Sequence, residues 1–435
     1  MCIRDRRTTK QLNSANSVGQ DGAQQILFGD LHAHTTLSFD AFIGSLPMMH
    51  GEGSRPLADA CDFARFCSAL DFWSINDHAE ASTPRRWSET VESIQQCNAV
   101  GGNGQNPDTV AFLGWEWTQV GATPETHYGH KNVIFRDIET KNVPSRPIHS
   151  GGIANTALRG LPLRNGPLLF ALDPNQRMLD FNLYLHELRQ SKECEKGKNV
   201  WDLPNNCRES AETPSELFSK LDEWGFESMV IPHGTTWGFY TPPGSEFNKQ
   251  LSGDLHDPER QTLLEVFSGH GNSEEYRSFR ATEMNDAQQP ICPKPTENYL
   301  PSCHRAGQII EERCLEAGES QEECSIRAAT ARQDYVNVGT AGHYTVRGEN
   351  PEDWLDSGQC KDCYLPAFNY RPGGAAQYIM ALTNFDDPEN PRRFRFGFMA
   401  SSDIHSARPG TGYKEFSRRG MTAVSYTHLT LPTKA

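Results

Sequence analysis

The stretch Gln25-Ile26-Leu27-Phe28-Gly29, which leads straight into Asp30-Leu31-His32-Ala33-His34, contains the pattern on which the fold prediction rests. A short apolar run bounded by glycine and polar residues is typical of a buried β-strand. Residues i and i+2 of a strand point to the same side, so His32 and His34 could bind one metal ion without a bend in the backbone. With 15 histidines in the chain, one such pair is weak evidence, and two ordinary core or surface histidines are the commoner explanation.

The same pattern recurs along the chain. Five later apolar runs end at, or contain, a histidine or an acid: Phe72–Ile75 before Asp77 and His78, Val110–Gly114 before Glu116, Met229–Pro232 before His233, Leu263–Phe267 with Glu265, and Phe394–Ala400 before Asp403 and His405. Helices are predicted over Leu57–Leu70, Pro214–Trp224 with Thr213 as N-cap, Gln308–Ala317 closed by Gly318, and Glu322–Tyr335. Strands that alternate with helices predict a parallel α/β architecture, in which the C-terminal ends of the strands meet at one face.

Several of these strand ends carry residues suited to metal binding. Asp403 and His405 repeat the i, i+2 spacing with mixed oxygen and nitrogen ligands, which suits zinc, manganese or iron better than calcium. Glu116 is flanked by tryptophans, and burial of its carboxylate would be costly without a cation; a partly exposed glutamate is the alternative. His233 precedes Gly234, which would let the backbone turn sharply. Five such strand ends in one chain together predict a metal centre.

Composition narrows the choice of partners. The chain has 41 basic and 56 acidic residues and a net charge of −15, which makes nucleic acid an unlikely partner because phosphate contacts need clustered Lys and Arg. No stretch approaches the roughly 18 apolar residues of a membrane span. We therefore expect a small-molecule substrate and no membrane span, whereas the oligomeric state stays open.

The 12 cysteines allow more than one interpretation. Cys194 and Cys207 are close in sequence, and six more crowd into one region: Cys292, Cys303, Cys314, Cys324, Cys360 and Cys363. Disulfides in an exported protein are favoured over a structural zinc site at Cys360 and Cys363, because a single C-x-x-C pair is weak evidence for zinc; free thiols are the third possibility. The expected location is periplasmic or secreted.

Both ends of the chain have unusual sequences. Residues 1–24 form a polar leader whose opening, Met1-Cys2-Ile3-Arg4-Asp5-Arg6, resembles translated sequencing-adapter read-through, as do residues 424–435. We exclude both from the fold prediction. The expected domain covers residues 25–423, truncated at its C-terminus. Two stretches without barrel-like periodicity, at about 136–212 and 286–372, are expected to be insertions that cover the mouth of the site, the second with the predicted helical pair.

The ordered motifs resemble those of the polymerase and histidinol phosphatase (PHP) superfamily. They are Asp30-Leu31-His32-Ala33-His34, Asn76-Asp77-His78, Trp115-Glu116, Pro232-His233 and Ser402-Asp403-Ile404-His405. The flanking residues are most similar to an uncharacterised bacterial branch, the domain of unknown function 3604. These flanks are Phe28–His32, Leu113–Thr118, His130–Phe135 and Ser406–Tyr413. The resemblance covers roughly residues 25 to 423.

The resemblance implies a distorted (β/α)7 barrel of PHP type, with long loop insertions and two or three divalent ions (Zn, Mn or Fe). Carried over by position, one metal pair is held by His32, His34, Glu116 and Asp403, with Glu116 bridging. The remaining ligands are His78, His233, His405, Asp40 and His130, with His127 as the alternative to His130. Asp40 stands where many PHP phosphatases have a histidine, which leaves the third metal ion open.

The implied chemistry is hydrolysis of a phosphate ester of an anionic small molecule by a metal-activated water. Asp30 is predicted to orient an imidazole, and His233 or His405 to protonate the leaving group.

Arg408 and Lys414 are predicted to hold the anion, and Trp237 and Tyr240 to form a pocket wall. Hydrolysis of a non-phosphate ester or amide, or a non-catalytic metal-binding module, are the alternatives. A further Lys or Arg near the metals would favour phosphate.

Overall fold

The computed structural model describes residues 27–46, 53–102, 107–160, 170–171, 174, 176–237, 240–242, 244–269, 271–274, 281–338, 342–343, 345–348, 350–358 and 371–411, with the single residues 13 and 17. The strands in this part are β1 Gly29–Ala33, β2 Phe72–Ile75, β3 Val110–Trp117, β4 Lys131–Phe135, β5 Ile148–His149, β6 Lys192–Glu193, β7 Cys207–Ser210, β8 Ser228–Pro232, β9 Leu263–Ser268, β10 Gly271–Asn272, β11 Glu283–Met284, β12 Pro290–Ile291 and β13 Gly397–Ala400. The α-helices are α1 Phe39–Gly44, α2 Leu57–Asp62, α3 Pro84–Val100, α4 Ile153–Gly160, α5 Gln176–Gln190, α6 Pro214–Trp224, α7 Ser302–Glu316, α8 Gln321–Val338 and α9 Ala376–Ala381.

The main sheet has five strands in the order β1-β2-β3-β4-β8 and curls into half a barrel. β1, β2 and β3 are parallel, as the strand–helix alternation predicts. β4 is antiparallel to both β3 and β8. A second sheet contains β9 between β10 and β13, with β9 and β13 parallel. The α/β class is therefore confirmed, although the described strands do not form one continuous parallel sheet.

A few backbone hydrogen bonds connect the two sheets. The N–H of Asp403, just after β13, donates to the carbonyl of His32 at 2.9 Å, and the N–H of His34 donates to Ile404 at 2.9 Å. On the other side, Val230 of β8 donates to the carbonyl of Arg260, just before β9, at 3.0 Å. The first two bonds place Asp403, three residues after the end of β13, next to His32 and His34.

Apolar residues of the central strands form the main core. Trp73, Leu113, Val133 and Val230 are fully buried. On the outer side the sheet is covered by helices, and Trp87 of α3 packs edge-to-face on Trp115 with ring centroids 5.4 Å apart. Burial of one such large apolar side chain stabilises the fold by about 1.5–3 kcal/mol. The core therefore fixes the strands whose ends carry the histidines.

The predicted helices are largely confirmed. α6 has the predicted bounds, and the side chain of Thr213 accepts a hydrogen bond from the N–H of Glu216 as an N-cap. The helix predicted from Leu57 comprises α2 and a π-helix, Phe63–Cys67, and stops before Ala69, which has a φ of 52°. α7 starts at Ser302, six positions before the predicted start, and α8 covers the last predicted helix.

The two predicted insertions contain regular structure. The first carries α4, α5 and the small parallel sheet β5-β7-β6, and the second carries the α7–α8 pair. Among the described helices, none combines the length and apolarity needed to cross a bilayer.

Eight cysteines form four pairs at disulfide distance. The pairs are Cys61–Cys97, Cys194–Cys207, Cys292–Cys303 and Cys314–Cys324. Disulfides persist in oxidising compartments, so these pairs fit the expected extracytoplasmic location. The alternative zinc pair, Cys360 and Cys363, lies outside the described residues.

The disulfide between α2 and α3 should stabilise the native fold. We expect replacement of both Cys61 and Cys97 by Ser to lower the free energy of unfolding by about 2–4 kcal/mol, because the open chain gains conformational freedom. The measurement is the midpoint of thermal unfolding without reductant. Cys67→Ser is the control, because Cys67 is exposed and unpaired. An unchanged midpoint in the double variant would contradict the pairing.

Candidate metal centre

Glu116, the seventh residue of β3, lies at the centre of a cluster of imidazoles. Its carboxylate oxygens lie within 3.5 Å of five ring nitrogens: Nδ1 of His130 at 2.8 Å, Nδ1 of His78 at 3.1 Å, Nε2 of His34 at 3.3 Å, Nε2 of His233 at 3.4 Å and Nε2 of His32 at 3.5 Å. The carboxylate is 1% exposed. This one side chain therefore touches histidines from four different parts of the chain.

Two further carboxylates flank Glu116. The Oδ1 atom of Asp403 lies 3.2 Å from Nε2 of His32 and 3.3 Å from Nε2 of His34. The Oδ2 atom of Asp40 lies 3.2 Å from Nε2 of His78 and 3.0 Å from Nε2 of His405. Asp403 forms the buried side of the cluster, and Asp40, with 23% of its side chain exposed, forms the open side.

The strand ends bring these residues together. A β-bridge pairs His78 with Glu116, and another pairs Ala33 with Ile404, so the motifs that follow β2 and β13 lie beside β3 and β1. Gly234 has a φ of 59°, and a Cβ atom there would collide with Trp237 and Tyr240. The predicted sharp turn after His233 therefore requires glycine.

The electrostatics of the cluster favour opposite charges on its acids and some of its histidines. Burial would raise the pKa of Glu116, but His78, His130 and His233 hold that pKa well below its usual range. Burial lowers the pKa of His32, yet Asp403 and Glu265 raise that pKa well above its ordinary value. Likewise, the charges of Glu116 and Asp40 overcome burial and raise the pKa of His78. The protein alone compensates its buried carboxylates with protons on histidines.

The donor set suits a divalent cation. Four groups of three residues place potential ligand atoms within 4.8 Å of one another: His34, His78 and His405; His32, His34 and Glu116; His32, His233 and Asp403; Glu116, His130 and His233. Both ring nitrogens of His233 and the Nε2 atoms of His32, His34 and His130 are buried without a hydrogen-bond partner among the described residues. Such unpaired buried nitrogens are costly, and a metal ion would satisfy them. Nitrogen and carboxylate ligands fit Zn, Mn or Fe.

All nine predicted ligand positions lie in this cluster. Between the two candidates for the last histidine, the geometry separates His130 from His127. His130 contacts Glu116, whereas Nδ1 of His127 accepts a hydrogen bond from the N–H of Gly121 at 3.3 Å. Burial lowers the pKa of His127 to about 3. His127 is therefore a neutral, internally bonded histidine beside the cluster.

The predicted catalytic residues have more varied positions. The carboxylate of Asp30 does not orient an imidazole; it accepts hydrogen bonds from the N–H groups of His32, Ser402 and Gly410 and from the Ser402 hydroxyl. It thus fixes the backbone that carries the ligands. Arg408 is half-buried in the turn after His405, and its role in holding an anion stays a prediction. Lys414 lies outside the described residues.

Two aromatic rings lie beside the histidines of the cluster. Tyr240 stacks on His130 with centroids 4.0 Å apart, and Trp237 lies 6.4 Å from His233. Their role as a pocket wall stays a prediction.

Three further residues that contact the imidazoles were not among the predicted site residues. The Oε2 atom of Glu265 lies 2.9 Å from Nδ1 of His32. The hydroxyl of Ser38 lies 2.9 Å from Nδ1 of His34, and that of Thr118 lies 2.6 Å from Nδ1 of His78. The one available clue was Glu265, an acid within the apolar run of β9.

Comparisons of the chain with protein-family models, with curated proteins and with solved structures gave no match.

Metal binding should release protons. His32 and His78 have a raised pKa without metal, and a histidine must lose its proton to bind a metal ion. We therefore expect the affinity for Zn²⁺ or Mn²⁺ to rise steadily from about pH 5 to 8. Calorimetric titrations in two buffers with different ionisation enthalpies measure the protons released. Binding that is independent of pH and of buffer would contradict this charge state.

Proposed function

We propose that this protein is a metal-dependent hydrolase that acts on phosphate esters. The observation that carries the proposal is the contact of the buried Glu116 carboxylate with five imidazoles. Flanked by Asp40 and Asp403, this is a ligand set for more than one divalent ion. A structural metal site needs only four ligands, so the larger set favours catalysis.

We also propose that the seven strands β1, β2, β3, β4, β8, β9 and β13 form a distorted barrel like that of the PHP superfamily. The hydrogen bonds from Val230 to Arg260 and from Asp403 to His32 support this arrangement, since they join the edges of the two sheets. In such a barrel the ligands lie at one end of the strands, where loops from several strands can shape a pocket.

The ligands on the two sides of the cluster differ in their exposure to solvent. His32, His34, Glu116 and His233 are buried, whereas His78, His405 and Asp40 are partly exposed. Substrate therefore enters on the side of Asp40. When bound, divalent ions supply positive charge for the phosphoryl oxygens and lower the pKa of water.

His405 is suited to protonate the leaving group. Its Nε2 atom lies 3.0 Å from Asp40, on the open side of the cluster. Burial lowers the pKa of His405, but the charge of Asp40 outweighs this and raises the pKa. Where its Nε2 atom is not bound to a metal ion, the ring can hold a proton and give it to the departing oxygen. His233, at 1% exposure, lies too deep to reach bulk water and serves better as a ligand.

Arg371 supports an anionic substrate. Its Nε–H donates to the carbonyl of Thr241 at 2.9 Å, one residue after the tyrosine that stacks on His130. Burial lowers the pKa of Arg371, and no acid of the described residues forms an ion pair with it. A half-buried guanidinium bonded to the loop after His233 is a suitable partner for a phosphate.

The ligand assignment predicts the effect of removing the first histidine pair. The double variant His32→Ala and His34→Ala should lose its metal and at least about 100-fold of its activity, because loss of ligands costs more than loss of their supporting contacts. The measurements are elemental analysis and release of p-nitrophenol from p-nitrophenyl phosphate with added Mn²⁺ or Zn²⁺. His186→Ala, on an exposed part of α5, is the control. Normal metal content in the double variant would contradict the assignment.

Arg371 is tested by its effect on substrate binding. Arg371→Ala should raise KM for a phosphate monoester by about 10–100-fold, the loss of one charge-assisted interaction. Arg371→Lys should restore part of the loss. Arg136→Ala is the matched control, because Arg136 is exposed and pairs with Glu227 at 2.8 Å, away from the cluster. An unchanged KM would remove the support for phosphate. Cleavage of a carboxylic ester in preference to a phosphate ester would replace the proposal by a non-phosphate hydrolase.

A further inference from the structure

Glu265 lies directly behind His32, on the side away from the cluster. Its Oε2 atom is 2.9 Å from Nδ1 of His32, while Nε2 of the same ring faces Asp403 at 3.2 Å and Glu116 at 3.5 Å. The two ring nitrogens therefore have separate partners. Glu265 itself belongs to none of the groups of three that could hold a metal ion.

The buried carboxylate of Glu265 has one hydrogen-bond partner among the described residues. It lies in the middle of β9, Leu263–Ser268, and is 2% exposed. Its second oxygen, Oε1, has no hydrogen-bond partner among the described residues. Burial of a carboxylate costs several kcal/mol unless a donor compensates it, and His32 is the donor in contact with it.

The backbone holds Glu265 at a fixed place relative to the cluster. Glu265 pairs with Met399 of the parallel strand β13, and the chain after β13 supplies Asp403. The same register therefore places one acid behind His32 and another in front of it. A side chain on a paired strand is a rigid support, unlike one on a loop.

We propose that Glu265 is a positioning residue of the metal centre, and that it holds His32 in the tautomer with the proton on Nδ1. This inference rests on the proposed metal-dependent function. With the proton directed to Glu265, the lone pair of Nε2 faces the cluster, and the nearby negative charge makes that nitrogen a stronger ligand.

His34, the second histidine of the pair, has a different partner behind its ring. A change at Glu265 therefore affects His32 alone. Nδ1 of His34 contacts the hydroxyl of Ser38, and that hydroxyl donates to Asp77 at 2.7 Å. His34 therefore donates from Nδ1 as well, but to a neutral oxygen. Changes at Glu265 remove the charged support of one ring and leave the other intact.

The test compares Glu265→Gln and Glu265→Leu with the wild-type chain. Glutamine keeps an acceptor for Nδ1 but removes the charge, and leucine removes both. We expect the dissociation constant for Zn²⁺, from competition with a chelating indicator, to rise by about 10–100-fold, and more for leucine than for glutamine. The absorption spectrum of the Co²⁺-loaded protein should change too, because it reports the ligands directly.

Glu209→Gln is the matched control for the loss of a buried carboxylate. Glu209 is fully buried on β7 and pairs with Arg146 at 3.0 Å and Lys220 at 2.8 Å. This control should lower thermal stability and leave both metal affinity and the Co²⁺ spectrum unchanged.

The outcomes separate the two proposals. Wild-type affinity and spectrum in a folded Glu265→Gln variant would overturn the positioning role and leave the hydrolase proposal standing. Weaker metal binding by the variant would support the role even if the wild-type chain hydrolysed no phosphate ester. Absence of metal binding by the wild-type chain would overturn the metal centre, and the positioning role with it.

Discussion

The buried carboxylate of Glu116 is the constraint on which this architecture depends. A fully buried carboxylate is costly unless cations or hydrogen-bond donors compensate it, and five imidazoles contact this one. Those rings come from the ends of β1, β2 and β8 and from the start of β4, so the curl of the sheet and the position of each strand are needed to bring them together. In the absence of metal, protons on the histidines balance the acids, and a divalent cation would exchange with those protons.

Hydrogen bonds from neighbouring residues fix the positions of the residues in the cluster. The carboxylate of Asp30 accepts hydrogen bonds from the backbone N–H groups of His32 and Ser402, and so ties the first histidine pair to the chain after β13. Behind the rings, Glu265 and Ser38 occupy the nitrogens that face away from the cluster. Rigid ligands with fixed tautomers lower the cost of assembling a metal centre. The partly exposed Asp40 and His405 leave one side of the cluster open to solvent.

Much of the fold and of the site could be predicted from the sequence, because the spacing of the apolar residues and the position of a histidine or acid at a strand end are local features. The i, i+2 histidines, the apolar strands and the capped helix α6 follow from local patterns. The antiparallel direction of β4 could not, since a five-residue strand contains no information about its orientation. α3 was missed although Trp87, Val91 and Ile94 have helical spacing, because polar residues dominate that stretch. Glu265 was missed as a site residue because it lies in the middle of an apolar run rather than at its end, with no second ligand type beside it.

The most direct test of the metal centre is anomalous diffraction from crystals grown with Mn²⁺ or Zn²⁺. The account predicts anomalous density between Glu116, Asp403, His32 and His34, where buried oxygen and nitrogen atoms already converge. Ions found only at surface carboxylates, with none beside Glu116, would contradict it. In that case the imidazole cluster would be a buried part of the core in which acids and histidines balance each other without a metal ion. The proposed hydrolase function would then lose its main evidence.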